Sequence, residues 1–317
     1  MDARQLKYFV QICESGSLSK ASRQLFIVQP ALSQQITRLE DEVGKPLLIR
    51  SVRGVKPTEN GEALYQHAKF VLRQLDDAVQ VARQEYASVQ GRVTLGLAPS
   101  TSAMVGLTLL RLLKEKYPQL LLNIAVALPA QLEEMARQSR LDVAVLFSTT
   151  AANELTFEPL LDEEVFVVLP ASSANVPPDR VSLTLAEVAR LPLVLCSPQH
   201  NLRRRLMFEF ERAQLQPELA AEIDSLQLVM RYVAQGGGAT IQPMAATRTV
   251  GVSEDWRCLP ISDAPIRRPS YLYALPVQRL SPGASVVRTE LKQMVRSLVE
   301  VGAWHGVRLA EAGVIPA

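Results

Sequence analysis

Residues 16–50, GSLSKASRQLFIVQPALSQQITRLEDEVGKPLLIR, admit few folds. Leu18, Ala21 and Leu25 recur at i, i+3 and i+7, the stripe of one short amphipathic helix. Ser17 stands ahead of it, where a hydroxyl accepts a free backbone N–H of the first turn. Phe26, Ile27 and Val28 leave room for only a brief connector. Pro30 then suits the first turn of a second helix, where its missing N–H has no partner anyway. In that helix Leu32, Ile36, Leu39 and Val43 share one face, and Pro30, Ser33, Gln34, Thr37 and Arg38 lie on the opposite one. Gln29 sits at the N-terminus, where N–H groups and the helix dipole favour a phosphate. A packed stripe backing small or polar side chains is the layout of a recognition helix in a DNA groove. An ordinary amphipathic helix with a solvated side shows the same stripe, so its neighbours must decide.

Net charge is only +2, but it is unevenly placed. Residues 1–58 hold nine Lys/Arg against five Asp/Glu, and the remainder holds 25 against 27. The basic excess sits at the end proposed to meet phosphate. Before that end, Leu6, Phe9, Val10 and Cys13 make the stripe of a supporting helix, with Cys13 as a small buried hydrophobe. After it, Leu47–Arg50 and Val55–Lys56 flank Ser51–Gly54 as a hairpin wing. Arg53 at its tip is placed for a phosphate or minor-groove contact, while Arg50 is equally able to pair internally. Ser19 and Lys20 complete the expected DNA-facing set.

This segment resembles the LysR-type transcriptional regulators. The residues that carry the likeness are Leu6–Phe9, Gly16-Ser17-Leu18, Ala21, Leu25, Gln29-Pro30-Ala31-Leu32-Ser33, Gln35-Ile36, Leu39-Glu40, Gly44, Pro46-Leu47-Leu48, Arg50, Gly54-Val55, Pro57-Thr58 and Gly61. The resemblance implies a winged helix-turn-helix over about the first 60 residues, followed by an effector domain similar to periplasmic binding proteins. Val28 departs from it, since the family often has Ser there. Within the family, GVKPTENGEALYQHAKFVLRQ and GLAPSTSA are most similar to the nitrogen assimilation control group, with regulators of aromatic or amino-acid catabolism left open.

From Thr58 onward Leu64, Ala68, Val71, Leu75, Ala78 and Ala82 are spaced 4, 3, 4, 3, 4, a heptad seam. About 28 helical residues span roughly 42 Å. So narrow a stripe on so long a helix fits a two-chain coiled coil holding two recognition helices on successive DNA turns; packing on the chain's own second domain is the alternative.

Beyond Gly91 strand and helix patterns alternate: strands at 93–98, 121–128, 141–147, 163–170, 191–197, 219–223, 238–243 and 270–277, helices at 102–116, 131–138, 184–190, 202–213, 225–235 and 284–299. Near-continuous Val, Leu and Ala strands between helices indicate a parallel α/β sheet. The expected fold class is therefore α/β with an all-α winged helix-turn-helix head. The expected domains are 1–58 for DNA binding, 59–90 for the linker and dimerisation helix, and 91–300 for effector binding. Within the last, lobe I covers about 91–162 and 268–300 and lobe II about 163–267. Residues 301–317 form a tail without a clear period.

Ligands of such sheets sit at the carboxyl ends of strands. That rule selects Ser100, Thr101 and Ser102 after the first strand, Pro129 after the second, and Phe147 and Ser148 after the third. It also selects Cys196, Ser197, His200 and Gln242 in the second lobe. Hydroxyls and free N–H groups at the first of these points suit an anion, although helix caps and turns use the same residues.

Other chemistries find little support. The three cysteines, Cys13, Cys196 and Cys258, fit neither a zinc spacing nor a disulfide framework, and His67, His200 and His305 form no HExxH. No GxSxG or Walker motif occurs. Gly236-Gly237-Gly238 precedes a strand, the reverse of a dinucleotide fingerprint, and reads as a tight turn. Arg203-Arg204-Arg205 reads as an exposed charge run or an interface. An enzyme using Cys196 and His200 lacks a third orienting group.

The expected function is sequence-specific regulation of transcription, with no catalysis, cofactor or metal. Expected partners are double-stranded operator DNA, further copies of the chain as a homodimer or homotetramer, a small-molecule effector and RNA polymerase. No run approaches the roughly 20 apolar residues of a membrane span, and no basic–apolar signal opens the chain, so a cytoplasmic location is expected. A ligand-independent or architectural DNA-binding protein is the alternative.

Overall fold

The computed structural model describes all residues except 52–53, 84–88, 151–154, 251–255, 277–278 and 311–317, and the side chains at 73, 76, 77 and 80–83. The chain divides into two compact units, one built on Met1–Ser88 and the other on Val89–Arg137 with Leu141–Ala317.

In the first unit, α1 (Ala3–Ser15), α2 (Leu18–Gln24) and α3 (Gln29–Val43) begin where capping chemistry predicts. Asp2 caps α1 reciprocally with Gln5, Ser17 accepts the Lys20 N–H to cap α2, and Pro30 stands in the first turn of α3. Phe9, Ile12, Ala21, Leu32, Ile36, Leu39 and Leu47 pack into one core. Two expectations shift here. On α1 Ile12 is fully buried together with Phe9, while Val10 and Cys13 are half-buried, and on α3 Val43 is exposed because the core ends a turn earlier. The expected hairpin forms from β1 (Leu48–Ser51) and β2 (Gly54–Pro57). The Val55 N–H donates to the Gly16 carbonyl at 2.9 Å and ties this wing to the α1–α2 turn. A Cβ on Gly54 would lie 2.7 Å from that oxygen, and its φ of +122° also demands glycine. On α4 (Glu59–Arg83), Leu64 and Tyr65 pack on the head core, whereas Leu75 and Val79 further along are exposed.

The second unit opens with β3 (Gly91–Leu97), α5 (Pro99–Lys116), β4 (Leu120–Val126), α6 (Pro129–Arg137), β5 (Val143–Leu146) and β6 (Thr156–Pro170). The far lobe holds α7 (Leu185–Ala189), β7 (Leu193–Leu195), α8 (Asn201–Arg212), β8 (Leu219–Glu222), α9 (Leu226–Ala234), β9 (Thr240–Pro243) and a 3₁₀ turn, Met244–Thr249. Then β10 (Trp256–Leu259), β11 (Arg267–Ala274), α10 (Pro282–Glu300) and β12 (Val307–Leu309) close the chain's described part. The main sheet has the order β10-β6-β11-β5-β3-β4, with β9 and β12 also on β6.

The expected parallel pairing is found for β3 with β4 and β5, and for β7 with β8. Elsewhere the sheet is antiparallel: β11 against β5 and β6, and β9, β10 and β12 against β6. The reason is topological. The chain leaves the near lobe on β6 and returns on β11, so the two crossings run in opposite directions. β6 also begins at Thr156 rather than 163, because Thr156–Asp162 pair with Pro269–Ala274 of β11, and Asp162, Glu163 and Glu164 are neutralised by Arg267 and Arg268 beside them.

The two largest cores of this unit lie around Leu95, Leu109, Val287 and Leu291 and around Val167, Leu193, Leu206 and Phe210. The stretch after 300, which showed no period, supplies β12, and Trp304 is buried in the near lobe's core. Gly238 closes the turn before β9 with a φ of +127°, where a Cβ would meet the Pro192 carbonyl at 2.1 Å.

Candidate nucleic-acid interface and ligand cleft

On the head, Gln29, Pro30, Gln34, Thr37 and Arg38 form an exposed strip of α3, and Ser33 within it is half-buried. Side-chain bonds order this strip. The Ser19 hydroxyl donates to Gln29 Oε1 at 2.7 Å, and Thr37 Oγ1 donates to the Ser33 carbonyl at 3.1 Å. Arg50 Nη1 reaches from the wing to Ser33 Oγ at 3.0 Å, while its Nη2 lies 4.0 Å from Glu40 Oε2. Glu40 Oε1 itself accepts the Leu47 and Leu48 N–H groups at 2.8 and 3.1 Å, fixing where the wing leaves α3. Arg50 thus pairs internally, the alternative left open above. Lys20 is exposed on α2, and Arg53 lies outside the described residues.

In the second unit a cleft of about 770 Å³, counting the space open at its mouth, lies at the ends of β3, β5, β7 and β9. Ser100, Pro129, Phe147, Cys196, His200 and Gln242 line it. The other expected residues do not. Thr101 is buried, Ser102 Oγ turns along α5 towards Gly106, Ser148 accepts the Tyr273 hydroxyl on its carbonyl at 2.6 Å, and Ser197 donates its N–H to Asp224 at 2.9 Å.

Sequence reasoning missed the charged groups of this cleft. Arg268 on β11 bonds Glu163 Oε2 at 2.7–2.9 Å, donates to Ser100 Oγ at 2.9 Å and stacks 4.3 Å over the Phe147 ring. Arg205 on α8 and Asp224 also line the cavity. Asp224 is held below the usual carboxylate range, first by the Ser197 backbone N–H, against some desolvation. His200 Nε2 lies 3.3 Å from Asp224 Oδ1. Burial pushes the Cys196 thiol up, the opposite of what an activated nucleophile needs. The N-termini of α5, α6, α8 and α9 converge on the cavity, with Leu128, Ile223, Leu226 and Val229 between them. Free N–H groups and two arginines at the polar positions of an apolar pocket suit a small anion with an apolar body.

A family model described as the bacterial regulatory helix-turn-helix protein of the lysR family matches residues 3–62, and one described as the LysR substrate binding domain matches residues 87–296. The chain belongs to the LysR family of transcriptional regulators. As a LysR-type protein it is a DNA-binding regulator carrying an effector-binding domain. It is 34% identical over 302 residues to the nitrogen assimilation regulatory protein nac of Klebsiella aerogenes, covering 93% of this chain and 95% of that one. Among solved LysR-like folds it matches full-length OxyR from Pseudomonas aeruginosa with a TM-score of 0.71 at 21% identity, over 93% of this chain and 95% of the other. It also matches CbnR in complex with its target DNA, TM-score 0.65 at 17% identity, over 93% and 100%. Among the described residues no helix is long and apolar enough to cross a membrane.

Proposed function

We propose that this LysR-type regulator grips operator DNA through residues 1–58, with Gln29, Pro30, Ser33, Gln34, Thr37 and Arg38 near base edges or adjoining phosphates. Ser19, Lys20 and Arg53 then position the head on the backbone, while Arg50 braces the strip from the wing through Ser33 and Glu40. Residues 59–90 pair two chains along the seam, which is consistent with the exposed Leu75 and Val79 on α4. The assembly is a homodimer or a pair of them, acting in the cytoplasm and on RNA polymerase at its promoters, without chemistry of its own. The likeness to the nac protein supports a role in nitrogen metabolism.

Residues 91–300 sense a small carboxylate in the cleft. One observation carries this: Arg268, held against Ser100 at the N-terminus of α5 and stacked on Phe147, presents a fixed cation beside free N–H groups. A ligand shifts the subunits on DNA only by binding one arrangement better than the other. Footprinting the full chain on its own upstream region, with and without a panel of small carboxylates, tests the whole reading. A footprint whose length or bend changes with one acid supports it. A footprint that no acid alters favours ligand-independent regulation, for which Glu163 would be the standing occupant of Arg268.

A further inference from the structure

The turn between α2 and α3 departs from local preference twice in three residues. Phe26 takes a φ of +56°, a conformation costly for a residue with a side chain, and its ring is 95% exposed. Val28 occupies the N-cap of α3, where Ser, Thr, Asp or Asn is favoured, and offers no side-chain bond to the free N–H groups. It is 70% exposed, so burial does not offset the poor cap. Ile27 between them packs against the head core and anchors the turn, leaving its two neighbours outside. Such departures gather at functional surfaces.

Val28 directly precedes Gln29 and Pro30, at the end of α3 that enters the major groove in helix-turn-helix docking. Every base pair there offers donors and acceptors, but the edges carry a single apolar group, the C5-methyl of thymine. We infer that Val28, flanked by Phe26, is a specificity-determining contact of this chain, packing on a thymine methyl in each half-site. The inference rests on the docking of α3 proposed above and adds to it a residue type that reads no hydrogen bond.

The test uses the full chain and duplexes selected by it from a random pool. Each thymine of the selected site is replaced singly by deoxyuridine, which removes that methyl and nothing else. One buried methyl corresponds to about fourfold in affinity. A loss of that size at one or two thymines, absent in Val28→Ser, is the expected result. Serine is a better cap at an exposed site, so a melting temperature at or above that of the parent checks that the variant folds. Equal affinity for thymine and uridine duplexes at every position overturns the inference and leaves DNA binding intact. Val28→Ser retaining the whole uridine penalty overturns it too. Recovery of no duplex from the pool defeats the docking of α3 itself. A Phe26→Ser, Val28→Ser double variant that sediments as a smaller assembly assigns the tip to contact between copies and likewise overturns it.

Discussion

Arg268→Met removes the cation from the junction of the two lobes while keeping most of the side-chain volume. Arg268 is buried to about nine-tenths at its side chain, and its partner Glu163 is 2% exposed there, with Oε1 already lacking a hydrogen bond. The substitution strips Oε2 of its bonds as well, leaving a carboxylate with no compensation in the sheet. Breaking such a pair from one side costs about 3–5 kcal/mol. For a unit of this size each kcal/mol moves the melting point by roughly 2–4 °C, so a fall on the order of 10 °C is expected. Calorimetry on Arg268→Met, Glu163→Gln and the double variant reads the result. The double variant should recover most of the loss, since it leaves no lone charge, while still failing to bind small carboxylates. A single-variant loss below about 1 kcal/mol, or a double variant that costs the sum of the two, would refute the reasoning that this is one coupled pair.

Gln34→Ala should cost specific duplexes about 1–3 kcal/mol and leave random duplexes unaffected, read as a ratio of dissociation constants. Arg53→Ala should instead weaken all duplexes alike and lower the salt slope by about one, measured by titration across ionic strength. Burial, followed by the charges of Glu62 and Glu14, pushes the Cys13 thiol up to about 12, and burial pushes Cys258 up to about 11. At pH 8 the reactive thiolate is then roughly one in ten thousand and one in a thousand, so both should resist iodoacetamide until the chain unfolds. Glu158 is held below the ordinary glutamate value: desolvation opposes this, and hydrogen bonds from Lys292 and Arg288 prevail. A depressed carboxylate stabilises the fold above its unfolded value and loses that contribution as pH falls through the folded one. Glu158→Gln should therefore flatten the acid limb of stability against pH, checked by urea melts across the acid range.

The head was legible because its signals are local. The spacing of Leu32, Ile36 and Leu39, the cap at Ser17 and Pro30 in a first turn act within a few residues of one another. The alternation of strands and helices in the second unit was legible for the same reason. What stayed hidden depended on distance along the chain. Arg268 meets Ser100 across 168 positions, and no periodicity joins them. Residues 156–162, with Pro159 and two carboxylates among them, look like a loop until β11 stands opposite, and only then do they begin a strand. The reversal of β11 follows from a return crossing that no window of sequence contains. Thr101 and Ser148 show the converse error: residues after a strand are candidates for a cleft, but Thr101 turns into the core on the first turn of α5, and Ser148 is held beside β11 by the Tyr273 hydroxyl on its carbonyl.

β6 runs unbroken for 15 residues through both lobes, exchanging β11 for β9 and β10 as its partners near Glu164, with β12 fastened along the same stretch. A connection of that kind bends as a leaf spring does. Any movement of one lobe against the other would twist this ribbon over several peptides instead of swinging on one joint, and β12, paired along Leu161–Glu163, stiffens the stretch just before the exchange of partners. Cutting the chain just before Trp304 would therefore change how far the lobes travel as well as how firmly they fold.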